Sequence, residues 1–529
     1  MPISAPPAET AWLLHHVLGF DAMEQADTEA VLAEAARVAE GLIAPLDAPG
    51  DQIGATWRDG EVSVPPGFAE AHRAFAEGGW IGMAAGEEHG GQGLPHTLTY
   101  AAHEAFTSAS MAFCLCPMLT YDAVLLLEAH GSPEQRARFV PKLIAGDWTG
   151  TMCLTEPQSG SDLGGIRTRA VPDGQGGYKI SGTKIYITYG EHGMTENILH
   201  MVLARLPDAP AGSAGISLFA VPKLRADGGR NGVHCQAIEK KMGIHASPTC
   251  VMAFEDAVGE MVGQPNKGLA CMFAMMNGAR IGVAMQGVAL AERAFRRAAA
   301  YAAERVQGGG PIDQHPDVRR MLWTMRALAL GGRLLTLYAS MAGEPRASLL
   351  IPVAKAWSTD AGEEAASLGV QVHGGAGFVE ATGAAQHLRD VRISRIYEGT
   401  NGIQALTLLR RGLLRDQGAA VAALLGEIAA AEFASPALAH AATATAEAAS
   451  WLRQAPAREA EAGATPFLSM LGTVVAGWLC ARVAARADAP HAARTAATVY
   501  LEQILPRVHY LSHALATPSD ALVGNAPIG

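Results

Sequence analysis

The chain has 529 residues, 49% of them hydrophobic, so it can bury a sizeable core and is expected to divide into more than one domain. Its formal charge of −11 and pI near 5.9 give no net electrostatic case for nucleic acid or an anionic membrane surface as a partner. Seven cysteines, with no CxxC pair and no histidines at zinc spacing, indicate neither a disulfide framework nor a metal site; they read as mostly buried, reduced thiols of a cytoplasmic protein.

The opening "MPISAPPAETAWLLHH" lacks a basic segment followed by an apolar one and does not read as a secretory signal. Residues 1–150 read as helices punctuated by Gly and Pro. "DTEAVLAEAARVAEGLIAPL" repeats apolar residues at helical spacing, and in "SPEQRARFVPKLIAG" Ser132 is a natural N-cap with Pro133 at the first helical position. Over 151–265 the pattern changes to short β-type runs set off by turn residues: "YKISGTKIYIT", "ENILHMVLAR", "GISLFAVPK", "GVHCQAIEK" and "PTCVMAFEDA". Helical spacing returns over 266–417, starting with a long run that places Leu269, Met272, Phe273 and Met276 on one face. Residues 418–529 are Ala-rich and helix-favouring, with no chemical groups in a recognisable arrangement. Within them, 462–481 is an uncharged run about as long as a membrane span, but Pro466 interrupts its start. A buried or interface helix is the favoured reading, and no integral span is expected. The order is helical, β, helical, with a helical appendix: an α+β chain.

Four stretches could carry chemistry, and each has a plain structural alternative. "MCLTEPQSGSDLGG", 152–165, offers the hydroxyls of Thr155, Ser159 and Ser161 beside glycines that admit a ligand to the backbone, or it is simply a Ser/Gly loop. "GTKIYITYG", 182–190, alternates so that Tyr186 and Thr188 share one face and Ile185 and Ile187 the other; that face could meet a flat cofactor or only solvent. "QVHGGAGF", 371–378, with Glu380 nearly copies a dinucleotide fingerprint, yet helical sequence surrounds it where a βαβ unit is required. His373 within it is a ligand contact or a satisfied structural histidine. In "YEGTNGIQ", 397–404, Glu398 is either a base made effective by desolvation or an acid favoured at a helix N-terminus. Thr400 and Asn401 are natural N-caps there.

Taken in order, "LTEPQSGSD", "KIYIT", "NGARIG", "ERVQG", "QVHGGAGF", Arg389-Asp390 and "YEGTNGIQ" resemble the acyl-CoA dehydrogenase family over roughly residues 70–412. The "GEHGMTENILHMVLARLPDAP" stretch and the appendix are most similar to the long bacterial subgroup that includes 3-methylmercaptopropionyl-CoA dehydrogenases and broad-range fatty acyl-CoA dehydrogenases. The resemblance implies an N-terminal helical domain (1–150), a middle β-domain (151–265), a C-terminal four-helix bundle (266–417) and an appendix (418–529), with FAD held between the β-domain and the bundle. It implies that Glu398 removes the α-proton of an acyl-CoA thioester while the β-hydrogen leaves as hydride to the flavin, giving a trans-2-enoyl-CoA. Electrons would pass to an electron-transfer flavoprotein, and the protein would be a homodimer or homotetramer.

Residue by residue, the resemblance implies that Met152, Leu154, Thr155, Gly160 and Ser161 belong to the loop contacting the isoalloxazine, with Ser161 also near substrate. Tyr186, Ile187 and Thr188 match the segment behind the flavin. Arg305 and Gln307 match residues reaching the FAD of a neighbouring subunit, Gln371, Gly374 and Gly375 an adenosine-side clamp, and Thr400, Asn401 and Gly402 the helix start beside the pyrophosphate. Asn277 and Arg280 fall where the family contacts CoA, and Tyr397 and Gly399 flank the base on the substrate side. Tyr186 stands where many members have Trp, Gly308 and His373 where Phe is frequent, and Asn277 where many have Asp. An acyl-CoA oxidase and a catalytically silent acyl-CoA- or flavin-binding protein are the competing functions.

Overall fold

The β-type runs become strands close to their expected limits, and two further strands join them. In the computed structural model, which describes residues 3–433, 435–516 and 520–524, the sheet comprises β1 (Trp148–Cys153), β2 (Arg169–Pro172), β3 (Tyr178–Thr188), β4 (Asn197–Arg205), β5 (Ile216–Pro222), β6 (Val233–Ile238) and β7 (Thr249–Val262). β1 and β2 escape the sequence reading for physical reasons. β1 is buried along nearly its whole length and so does not alternate, while β2 buries only Ala170. Met152 and Cys153, read above as part of a loop, are therefore the end of a strand.

Strands β2, β3, β7, β5 and β4 pair in succession, and β4 returns to β2 through Arg205 and Arg169, closing the circuit. β1 runs parallel on β4, and β6 antiparallel on β7. Ala170, Ile180, Val202, Phe219, Met252 and Phe254 fill the centre. This sheet belongs to one compact unit, residues 38–99 and 109–279, together with α1 (Met111–His130), whose first 14 residues are all buried. Ser132 caps the following helix as expected: its hydroxyl accepts from Gln135 N and the Gln135 side chain accepts from Ser132 N.

The other unit is formed by residues 3–37, 100–108 and those from 280 onward. It holds most of α2 (Gly268–Glu304), then α3 (Pro316–Met341), α4 (Arg346–His373), α5 (Ala384–Val391), α6 (Asn401–Thr407), α7 (Pro436–Gln454) and α8 (Ala457–Ala484). Its interior carries a charged cluster: Arg333 of α3 donates to Glu104 at 2.6 and 2.8 Å and to Glu292 of α2 at 2.9 Å, and Arg326 bridges Glu292 and Glu9. The uncharged run 462–481 lies in α8. Helices α1, α2 and α8 are long and apolar enough to cross a membrane, and 89%, 67% and 83% of their apolar windows are buried within the protein. In α8 the burial has a specific partner: Gly472 lies against Trp357 of α4, whose indole N–H donates to Thr473 at 3.1 Å. All seven cysteines are free and buried.

Candidate functional site

Glu398 stands in a left-handed turn (φ 55°), followed by Gly399 at φ 83°. Such a backbone costs a residue with a Cβ on the order of 1 kcal/mol, so something must hold it there. Three clamps do. Gln404 Nε2 donates to the carbonyls of Glu398 and Gly399 at 3.0 and 3.1 Å. Lys355 of α4 donates to the Gly399 carbonyl at 2.9 Å and to Asn401 Oδ1 at 3.0 Å. Asn401 Nδ2 in turn donates to Asp360 at 2.8 Å and to the Ala356 carbonyl at 3.1 Å. Thr400 then caps α6, its hydroxyl accepting from Ile403 N at 3.2 Å; Asn401, the other cap candidate, is the first helical residue and is spent on the clamp instead.

Burial raises the Glu398 carboxyl above its ordinary range, against the opposing pull of Arg280 and Lys355. Arg280 is itself buried, its charge disfavoured by desolvation and supported by Glu398. Tyr397 donates its hydroxyl to Gln286 of α2. Thus Glu398, Tyr397, Gly399, Thr400, Asn401 and Arg280 come together around one turn. Among the described residues, no acceptor is found for the Glu398 N–H.

In the sheet unit, the loop after β1 is tied to β3 from behind. Lys184, fully buried, donates to the Leu154 carbonyl at 2.9 Å and to Glu156 at 2.8 Å, and Glu156 also accepts from Thr168 N and Oγ1 at 3.0 and 2.6 Å. Thr155 O accepts from Ile185 N at 2.9 Å, joining loop and strand directly. The β3 alternation is broken by a register shift between Lys184 and Ile187, both buried, with Tyr186 between them at φ 61° and 60% exposed. Tyr186 and Ile187 are thereby presented to opposite environments as expected, but Ile185 is only half-buried. The hydroxyls of Thr155, Ser161 and Thr188 make no hydrogen bond among the described residues. Gly160 is exposed, and a Cβ there would meet nothing nearer than 3.9 Å. Met152 is buried in β1, and Asn277 lies half-buried on α2.

The remaining candidates lie elsewhere. Arg305 and Gln307 are exposed at a two-residue hairpin, where the Gln307 carbonyl accepts from His315 at 2.9 Å. Gln371 is exposed on the last turn of α4, followed by exposed Gly374 and Gly375 in a 3-10 turn. Helix α4, not a strand, leads directly into this glycine run, which removes the dinucleotide reading. His373 donates to the Gly369 carbonyl at 2.7 Å and stacks on Tyr301. Four residues to which the sequence reading assigns no role hold these turns and loops: Lys355, Gln404, Lys184 and Glu156. Two had a readable signal. Lys355 is the lone charge in "LLIPVAKAW", and Lys184 shares the period-two face of buried Ile180.

Comparison with known proteins identifies the family. The chain matches, in order, the acyl-CoA dehydrogenase N-terminal domain (residues 25–147), middle domain (151–257) and C-terminal domain (266–413), then the acetyl-CoA dehydrogenase C-terminal-like domain (415–524). It is 45% identical to the 3-methylmercaptopropionyl-CoA dehydrogenase of Ruegeria pomeroyi, over 89% of this chain and 87% of that one. A chain in the structure of the electron transferring flavoprotein of Acidaminococcus fermentans superposes with TM-score 0.66 at 28% identity, covering 75% of this chain and 100% of that one. The acyl-CoA dehydrogenase of Bacillus anthracis complexed with FAD superposes with TM-score 0.78 at 21% identity, covering 94% and 90%. Three successive domain matches, and a relative similar along most of both chains, lead to one conclusion: the chain belongs to the acyl-CoA dehydrogenase family.

Proposed function

We propose that the protein is an FAD-dependent dehydrogenase of acyl-CoA thioesters, with Glu398 as the base. The observation that carries this reading is the clamped left-handed turn, which holds a desolvated carboxylate beside a backbone N–H that finds no acceptor among the described residues. A carboxylate raised by burial is a stronger base for a weakly acidic α-proton, and the N–H suits the charge that develops on the thioester oxygen. Gly399 and Tyr397 flank that position, and Arg280 and Asn277 are the candidates for CoA contact.

FAD fits the donor set of the sheet unit: unspent hydroxyls on Thr155, Ser161 and Thr188, an open backbone at Gly160, and the exposed ring of Tyr186. When bound, FAD supplies the acceptor for the β-hydrogen as hydride. Met152, Leu154 and Ile187 complete the flavin set. Arg305, Gln307, Gln371, Gly374, Gly375, Thr400, Asn401 and Gly402 are assigned to the remainder of FAD, the exposed ones in a homodimer or homotetramer. The product is a trans-2-enoyl-CoA, and electrons leave to an electron-transfer flavoprotein in the cytoplasm. The 45% identity supports 3-methylmercaptopropionyl-CoA as the first substrate to test.

The test is anaerobic mixing of the FAD-loaded protein with a panel of saturated acyl-CoAs, 3-methylmercaptopropionyl-CoA among them, following loss of oxidised-flavin absorbance. Reduction by one chain class is expected, and Glu398→Gln should bind both FAD and acyl-CoA but leave the flavin oxidised. Near-normal reduction in that variant would sink the assignment. Peroxide formed without an added acceptor would favour the oxidase, and no reduction by any acyl-CoA the silent binding protein.

A further inference from the structure

We propose that Lys355 is the positioning residue for Glu398: its ammonium, held inside α4, clamps the Gly399 carbonyl and the Asn401 side chain and so fixes the left-handed turn that carries the base. The proposal rests on Glu398 being that base. Lys355 has no exposed surface, and both of its hydrogen bonds, 2.9 and 3.0 Å, go to the 398–401 turn rather than to a carboxylate. A buried ammonium without a direct ion-pair partner is costly, so a purely structural position would be better filled by an apolar residue. What the charge adds is a fixed cation beside Glu398, whose presence favours the ionised base while burial opposes it. Burial brings Lys355 down to about 7, with Glu398 and Asp360 supporting its charged form.

The turn is faced by charges from several elements: Arg280 of α2, Lys355 and Asp360 of α4, and Arg395 of the 392–395 turn, which is paired with Asp360 and Glu363; Arg411 lies beyond, opposing the charge of Arg280. Lys355 grips the turn's backbone directly, through the Gly399 carbonyl. Gln404 supplies the second grip on the same carbonyls but carries no charge. Lys355 therefore combines a geometric and an electrostatic effect on one residue.

Lys355→Met and Lys355→Gln, studied as FAD-loaded proteins, separate the two. In Lys355→Met we expect FAD content, melting temperature and KM close to wild type, kcat for flavin reduction lower by roughly 10- to 100-fold, and faster amide hydrogen exchange across 397–404 in the absence of substrate. The acid limb of its rate profile should move to higher pH. Lys355→Gln, neutral but able to donate, should recover exchange protection and part of kcat while its limb stays displaced; it carries the test alone if the Met variant does not fold. Unchanged kcat, exchange and limb in either variant would overturn the proposal. So would a joint fall of FAD content, KM quality and melting temperature, which marks a merely structural lysine. Glu398→Gln run in the same series reports on the base by itself, so failure of the base and failure of its clamp give different results.

Discussion

At the scale of single residues, Glu398 illustrates what a local sequence can and cannot disclose. Its position between an aromatic and a turn was legible, and the resemblance implies the role proposed for it. Its φ of 55° and the clamps on the turn that carries it were not, because they depend on Lys355, 43 positions earlier, which holds the Gly399 carbonyl, and on a glutamine whose neighbours give no hint of its partner. The chemistry follows from that environment. With Glu398 as the proposed base, which works only when ionised, flavin reduction should fall as pH drops through its pKa, which burial places above the ordinary value of 4.5. The acid limb of kcat for anaerobic flavin reduction should therefore lie above the usual carboxylate range. A limb at or below that range would contradict a desolvated base.

At the scale of elements, the loop following β1 and strand β3 behave as one piece because a buried ion pair joins them. Lys184 and Glu156 are both almost fully buried, and the carboxylate is held well below its usual range by Lys184, Thr168 and Arg167 N in spite of burial. The loop was legible as a Ser/Gly segment, but the bulge at Tyr186 was hidden, since a strand pattern read in steps of two has no place for an inserted residue. Lys184→Met leaves Glu156 buried without its cation and frees the Leu154 carbonyl. The expected result is FAD binding weakened by roughly tenfold or more, equivalent to about 1.4 kcal/mol, measured by titrating apoprotein with FAD. FAD affinity equal to wild type would show that the loop is held by other means. Helix α8 offers a contrasting case, where the sequence shows an apolar run but not its partner. A Cβ at Gly472 would meet Trp357 side-chain atoms at 2.7–2.9 Å, so Gly472→Ala should destabilise by about 1–3 kcal/mol in denaturant unfolding; a neutral effect would mean that α8 can shift away from α4.

For the whole molecule, the helical, β, helical order and the appendix follow from composition and periodicity, whereas the joining of residues 3–37 and 100–108 to the chain from 280 onward does not. Glu9 and Arg326 are 317 positions apart, and no helical pattern tells a buried charge which distant partner it will meet. The cluster they share with Glu104, Glu292 and Arg333 holds several segments of one unit together, so its loss should be felt globally. Arg333→Met keeps the bulk but leaves Glu104 and Glu292 buried with less positive charge, and should cost about 3–5 kcal/mol. The same cluster predicts acid lability. Burial would raise Glu292, but Arg326, Arg333 and Arg296 together hold it down to about 2 from 4.5. A depressed carboxylate stabilises the fold fully above its unfolded pKa and loses that contribution as pH falls through the folded one, so wild-type stability should decline between about pH 4.5 and 2. In Arg333→Met the folded pKa of Glu292 rises toward the unfolded value, and the decline should become shallower from a lower starting point. Unfolding midpoints measured against pH for both proteins check the two statements together: parallel curves would mean that Arg333 does not set the ionisation of Glu292, and coincident curves that the cluster contributes nothing to stability.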